Sequence, residues 1–307
     1  GGAFAALLLR PPEAAAWGPQ GHRVIALIAD RVLRQSDTVV HAKIAALLKS
    51  DTDNRLTKID IGSEAVWADT LREKSPEARS ATEGWHYVRL KFDNPDLARD
   101  CFGRPPLPAG YPASHGPRDN CSVDKIEQFE SELRDPKTPP GERVTALKFL
   151  LNLVGDLHQP LYAIDRGDQA GRCIALLIGP AQTPVRLSSY WDETLVAEVA
   201  GPDPGRGAAR IATGLASATT QQWATGGPQD WARESYDLAK SVAYSFLSEK
   251  PAAKYTFPAP KGEKDSCGEV DLYRVGPDYE TKALALVKEQ LAKAGVRLAL
   301  VLRSSLK

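Results

Sequence analysis

The stretch from Val144 to Tyr162, VTALKFLLNLVGDLHQPLY, constrains this chain more than any other. Leu147, Phe149, Leu150, Leu151, Leu153, Val154 and Leu157 leave a helix through it almost no solvated face, so such a helix must be central and covered on every side. Yet Lys148, Asn152 and Asp156 recur at i, i+4 and i+8, one polar line on an apolar cylinder. A buried carboxylate has to be neutralised, paired or bound to metal. Spacing alone leaves two readings open: a Lys148–Asp156 or arginine–Asp156 pair that braces the core, or a metal site. Pro160 stops the helix just after His158 and Gln159.

The rest of the chain reads mostly as helix. Apolar periodicity predicts helices over His22–Arg34, Val39–Leu48, Glu64–Glu73, Val123–Leu133, Glu142–Leu157, Arg210–Thr225, Asp230–Leu247 and Tyr279–Leu302. Pro- and Gly-rich segments separate them at Lys137–Gly141, Gly201–Gly207 and Tyr255–Gly262. Ala175–Ile178 with Val185–Leu187 predicts at most a small β-hairpin. The expected fold is therefore all-α, a single multi-helix domain around a buried central helix, with long loops. Its 307 residues, 42% hydrophobic and 25% charged, exclude collagen-like, disordered and coiled-coil classes. With 39 Lys and Arg against 39 Asp and Glu, the chain lacks the basic excess of a duplex-DNA or polybasic membrane binder.

Residues 1–16 read as the tail of a secretory signal peptide: an apolar run from Phe4 to Leu9, then Ala14-Ala15-Ala16 as an A-x-A-like site before Trp17. The chain contains no Met, so its natural start is expected further upstream. No apolar stretch reaches the roughly 20 residues of a membrane span. A secreted or periplasmic location follows, and with it disulfides for the four cysteines. Three complete pairings are open. Cys101 and Cys121 bracket a Pro/Gly-rich loop that needs a staple, which favours that pair and leaves Cys173 for Cys267.

Three short segments shift the balance at Asp156. Trp17-Gly-Pro-Gln-Gly-His22 puts an indole residue at the expected mature terminus and a histidine five positions on. Trp67-Ala-Asp69-Thr-Leu-Arg72 places an acid and a base on one helical turn, and Trp85-His86-Tyr87 sets a histidine between aromatics. In this order, with Gly155-Asp156-x-His158-Gln-Pro-Leu and Tyr190-Trp191-Asp192, they resemble the secreted zinc-dependent class I, single-strand-specific nucleases, over essentially Trp17 to Leu302.

The resemblance implies an all-α fold with a metal cleft and up to three zinc ions. It implies one zinc on the amino group and carbonyl of Trp17, on His22 and on Asp156. A second is implied on Asp69, His86 and Asp156, with Asn152 standing where the family has histidine. The third retains only Asp192, because Tyr162 and Ser188 occupy its two histidine positions. Zinc favours thiolate, imidazole and carboxylate ligands, so one or two positions are expected to fill strongly and the Asp192 position weakly or not at all. Arg72 is expected to neutralise charge at the reacting phosphorus, Tyr87 to stack a base and Asp168 to contact one. Two further departures are Arg89, where an acidic or amide residue is common, and Arg172, where the G-D-x-G-G-N loop ends in asparagine. A free amine at Trp17 exists only after removal of residues 1–16, so processing would complete the first site.

The implied activity is metal-dependent hydrolysis of phosphodiesters in single-stranded DNA or RNA, and of 3′-nucleotides. Single-stranded nucleic acid or nucleotides are the expected partners, with no membrane and no obligate protein partner. Two alternatives compete: a pseudoenzyme that binds metal or nucleic acid without cleaving, and a zinc phospholipase C. The Trp17–His22 spacing and the W-A-D-x-x-R and Y-W-D motifs favour the nucleases over the lipase.

Overall fold

The computed structural model describes residues 16–52, 54–102, 107–108, 110–259 and 265–307. The expected leader therefore lies outside the described residues except for Ala16, which is buried.

The polar-lined helix forms over Pro140–Leu157 and is buried from Ala146 through Leu157. It lies against the Ser122–Arg134 helix, where Phe129 stacks on Phe149 with ring centres 4.7 Å apart. Trp67 and Trp85 meet Phe149 edge-on at 5.5 and 5.3 Å, the arrangement that aromatic quadrupoles favour. The Gly18–Ser36 helix and the long Pro277–Leu306 helix close the opposite side. Gly295 permits their close crossing, since a β-carbon there would lie 2.5 Å from Ile28 Cγ2.

Helix boundaries differ from the periodicity reading where proline acts as a starter rather than a separator. Pro140, Pro204, Pro228 and Pro277 each open a helix, because the first helical position needs no N–H donor and suits the fixed φ of proline. The expected Arg210–Thr225 helix is two, Pro204–Thr213 and Ser217–Trp223, broken after Gly214. The expected Asp230–Leu247 helix ends at Leu238 and continues as a π-turn and a 3₁₀ turn.

The strand content exceeds a hairpin. Val185–Arg186, Ile174–Ile178, Glu269–Val275 and Ala253–Thr256 form one sheet in that order, with the central pair parallel. The Cys173–Cys267 disulfide joins the approaches to the two central strands, and Cys101–Cys121 staples the other loop, as expected. A second, two-stranded pairing sets Leu90–Lys91 beside Ile164–Asp165. It fixes the segment that follows Trp85-His86-Tyr87 against the segment that follows the buried helix. Among the described residues, no helix is long and apolar enough to cross a membrane.

Lys125 is fully buried under the 113–120 loop, where Nζ donates to Ala113 O at 2.6 Å and Gln128 Oε1 at 2.9 Å and sits 4.0 Å from the Trp85 ring centre. Burial outweighs the attraction of Asp124 and Glu132 and pulls its pKa down to about 8. Above that pH the folded chain sheds this proton while the unfolded chain retains it up to about 10.5, so stability rises with pH across that window. Relative to Lys125→Met, the unaltered protein should gain on the order of 3 kcal/mol between pH 7.5 and 10.5. Urea unfolding of both proteins at several pH values checks this; parallel curves refute it.

Candidate active site

Four segments deliver the candidate ligands to one buried point. The Gly18–Ser36 helix carries His22, the Trp67–Lys74 helix carries Asp69 and Arg72, and the Pro140–Leu157 helix carries Asn152 and Asp156. His86 comes from the segment just before Leu90. Asp156 Oδ2 lies 2.6 Å from His86 Nδ1, and its Oδ1 lies 3.3 Å from His22 Nε2. Asp69 Oδ2 lies 3.5 Å from the same His22 nitrogen, and Asp69 Oδ1 lies 4.0 Å from His86 Nδ1. Gly155 makes this approach possible, because a β-carbon there would lie 2.9 Å from His22 Nδ1.

The core-brace reading of Asp156 does not hold. Lys148 turns away to pair with Asp51, with Glu64 at 3.9 Å and the Trp67 ring at 4.6 Å. Burial pushes the Asp156 carboxyl up, but His86 and His22 outweigh it and hold its pKa below the usual carboxylate range. For His22 the balance runs the other way. Burial draws the imidazole pKa down, and Asp156 with Asp69 more than restores it.

The four groups stand closed on one another, and among the described residues no set of three or more His, Cys, Asp or Glu forms a ready cation cage. Their lone pairs are nonetheless not exhausted. His22 Nδ1 and Nε2, His86 Nε2, Asp69 Oδ1, Asp156 Oδ1 and Asn152 Oδ1 are buried with no hydrogen-bond partner. Buried polar atoms are rarely left so, and here they belong to imidazole, carboxylate and amide groups that four segments bring together around Asp156. That donor set fits a divalent cation. Asn152 presents the right atom for it: its Nδ2 donates to Asp69 Oδ2 at 2.9 Å and Ala65 O at 3.0 Å, which leaves the amide oxygen free.

The Asp192 corner does not fit. Tyr162 fills it with a buried ring stacked on Tyr87 at 4.6 Å, and Ser188 is buried with no charge to offer. Burial pushes Asp192 up to about 8, against the Gln159 amide and the Trp17 N–H, which pull it down. Gln159 holds that carboxyl directly, Nε2 to Oδ1 at 2.5 Å. Sequence reasoning passed over this residue, although it sits inside the matched G-D-x-H-Q-P-L segment. His158 is packed into the core: Nδ1 contacts Val154 O at 2.7 Å, Arg297 lies 3.0 Å from Nε2, and burial brings its pKa down to about 3.

Trp17 is buried beside the cluster, its indole N–H donating to Gly155 O at 2.9 Å. Arg72 stands 4.0 Å from Asp69 Oδ1 and lines a cavity of about 390 Å³ with Tyr87, Arg89, Tyr162 and Arg172. A larger cavity, about 640 Å³ and walled by Arg23, Arg55 and Lys58, holds none of the clustered acids or imidazoles. Asp168, expected against a base, is buried beneath the loop it belongs to; its oxygens accept from Tyr244 Oη at 2.9 and 3.1 Å and from Gly171 N at 3.1 Å.

Among the described residues, the non-glycines with positive φ are Trp17 (61°), Arg89 (59°), Gln169 (54°) and Ala170 (55°). The last three line the same cavity. A left-handed L-residue costs about 1–2 kcal/mol, so backbone strain concentrates where the candidate chemistry is. Ala170→Gly should stabilise the fold by about 0.5–1 kcal/mol after the entropy that glycine loses on folding. Thermal unfolding checks it; an unchanged or lower midpoint refutes it.

A family profile described as S1/P1 Nuclease matches residues 17–307. Curated relatives include Nuclease S1 of Aspergillus oryzae, 26% identical over 298 residues, covering 92% of this chain and 89% of that protein. Endonuclease 4 of Arabidopsis thaliana is 26% identical, covering 93% and 88% respectively. Nuclease PA3 of a Penicillium species is 25% identical, covering 92% and 95%.

Proposed function

The chain belongs to the S1/P1 nuclease family, and from that premise we propose that it is a secreted, zinc-dependent hydrolase of phosphodiester bonds in single-stranded DNA or RNA. The observation that carries this reading is the convergence of His22, Asp69, His86 and Asp156 with their unpartnered buried atoms. The two disulfides support an oxidising location.

Zinc would be held by His22, Asp69, His86 and Asp156, with Trp17 and the Asn152 oxygen beside them, and when bound it supplies Lewis acidity and a more acidic water. The protein's own share is placement. Asp156 meets His86 Nδ1 at 2.6 Å and stands 3.3 Å from His22 Nε2, a placement that orients both rings. Asn152 holds Asp69 through its N–H₂. Arg72, beside Asp69 on the cavity wall, meets negative charge growing on the phosphoryl oxygens, for which its planar fork is suited. Tyr87 carries Tyr162 and the Arg89 guanidinium against its ring, each at 4.6 Å. A base therefore either displaces exposed Arg89 or stacks on the guanidinium plane, both of which bases do on proteins. Nothing is routed through the Asp192 corner, whose ring and hydroxyl do not suit a cation.

One structural feature favours the pseudoenzyme reading, namely that Tyr162 fills the Asp192 corner. Cleavage of circular single-stranded DNA with added zinc separates the two. Activity of the unaltered chain, abolished by a chelator, supports the hydrolase. Activity only after Asn152→His, Tyr162→His and Ser188→His together supports the pseudoenzyme. Phosphatidylcholine cleavage without nuclease activity overturns both.

A further inference from the structure

The cavity beside the cluster is lined by three arginines, Arg72, Arg89 and Arg172, and two acids, Glu83 and Asp165. Each acid has its own cation outside the lining: Arg118 pairs with Glu83 and Lys91 with Asp165. The arginines are not spent in return. Among the described residues, no hydrogen bond or ion pair engages the guanidinium of Arg89 or Arg172, and Arg72 approaches Asp69 no closer than 4.0 Å. Arg72 Nε and Arg172 Nε are buried without a partner. Three guanidinium groups around one cavity repel one another unless an anion joins them.

Their placement is built rather than incidental. Arg89 has a left-handed backbone and lies 4.6 Å from the Tyr87 ring centre. Arg172 follows the strained Gln169-Ala170 turn, directly before the cysteine that bonds Cys267, and Arg186 Nη1 holds its carbonyl at 2.8 Å. The two residues lie 83 positions apart in sequence and both end on one cavity wall, which Tyr162 shares.

We propose that Arg89 and Arg172 form, beside Arg72 and the carboxylate–imidazole cluster, a phosphate subsite that takes a second phosphoryl group of the substrate, so that the preferred substrates are short nucleotides carrying a phosphomonoester adjacent to the bond that is cut. Guanidinium forks match phosphate oxygens two at a time, and their charge is fixed at any working pH. The cleavage part of this proposal rests on the hydrolase reading above; the anion-binding part does not.

Calorimetric titration with adenosine 3′,5′-bisphosphate, adenosine and inorganic phosphate tests it, on the full chain in chelator and again with zinc. In chelator the bisphosphate should bind at least tenfold tighter to the unaltered protein than to Arg89→Gln/Arg172→Gln, a loss larger than any the double variant shows for adenosine. Equal bisphosphate affinity in the two proteins overturns the subsite. Inorganic phosphate binding as tightly as the bisphosphate overturns its assignment to nucleotides. Should the double variant fail to give a native circular dichroism spectrum, Arg89→Gln alone, at an exposed position, should still lose at least threefold. In kinetics with zinc, the preference for 5′-phosphorylated over unphosphorylated dithymidylate should fall from above tenfold to about one in the double variant, mainly through KM. An unchanged preference sinks the subsite and leaves the hydrolase reading standing. No cleavage by either protein, with the binding difference intact, sinks the hydrolase reading and leaves the subsite.

Discussion

Asp156→Ala should lower single-strand cleavage by at least a thousandfold, about 4 kcal/mol of transition-state stabilisation. The size of the effect follows from position. Asp156 approaches both imidazoles, at 3.3 and 2.6 Å, more closely than Asp69 does at 3.5 and 4.0 Å, so its removal unties His22 and His86 together. Zinc should raise the melting temperature of the unaltered protein and not that of the variant, since a ligand stabilises a fold only by binding it. Lys148→Met is the matching control on the same helix. Its ammonium serves Asp51 and Glu64, so it should lose stability but keep kcat within a few fold. If Asp156→Ala retains both cleavage and the zinc-induced shift, the cluster is a structural ion-pair network and the hydrolase reading falls.

Sequence alone was informative about Asp156 because burial and charge conflict there, and only a few physical resolutions exist. It could not choose between them. Lys148 and Asp156 share one face at i and i+8, and the choice depends on Asp51 and Glu64, which reach Lys148 from other elements. The helices were legible because their apolar stripes repeat. Their starts were not, because Pro140 and Pro204 have the composition of breakers and the position of starters. Of the larger sheet only the hairpin of Ile174–Ile178 with Val185–Arg186 was legible, for a different reason. Glu269–Val275 pairs in parallel with Ile174–Ile178 across about a hundred residues, and no local pattern announces a partner so distant. The same limit applies to the arginine cavity. Arg89 and Arg172 were visible as departures from two motifs, but nothing local to either places them on one wall.

The other large effect concerns where the chain starts. Trp17 is buried, its indole tied to Gly155 O and its backbone left-handed, with its N–H facing Asp192. In a chain that retains residues 1–16, that nitrogen is an amide without a basic lone pair. In a chain that begins at Trp17 it is a primary amine, set beside the Asp192 carboxylate and able to ligate a metal. The family profile also begins its match at Trp17. A protein starting at Trp17 should bind one more zinc equivalent than the full chain, or the same number at least tenfold tighter, by elemental analysis after dialysis and by competition with a chromophoric chelator. A protein starting at Ala16 separates chemistry from length: one residue longer, with Ala16 already buried in the fold, it lacks the amine on Trp17 and should behave as the full chain does. Equal zinc content in all three would mean that the backbone nitrogen is no ligand, and that the imidazoles and carboxylates hold whatever metal the protein binds.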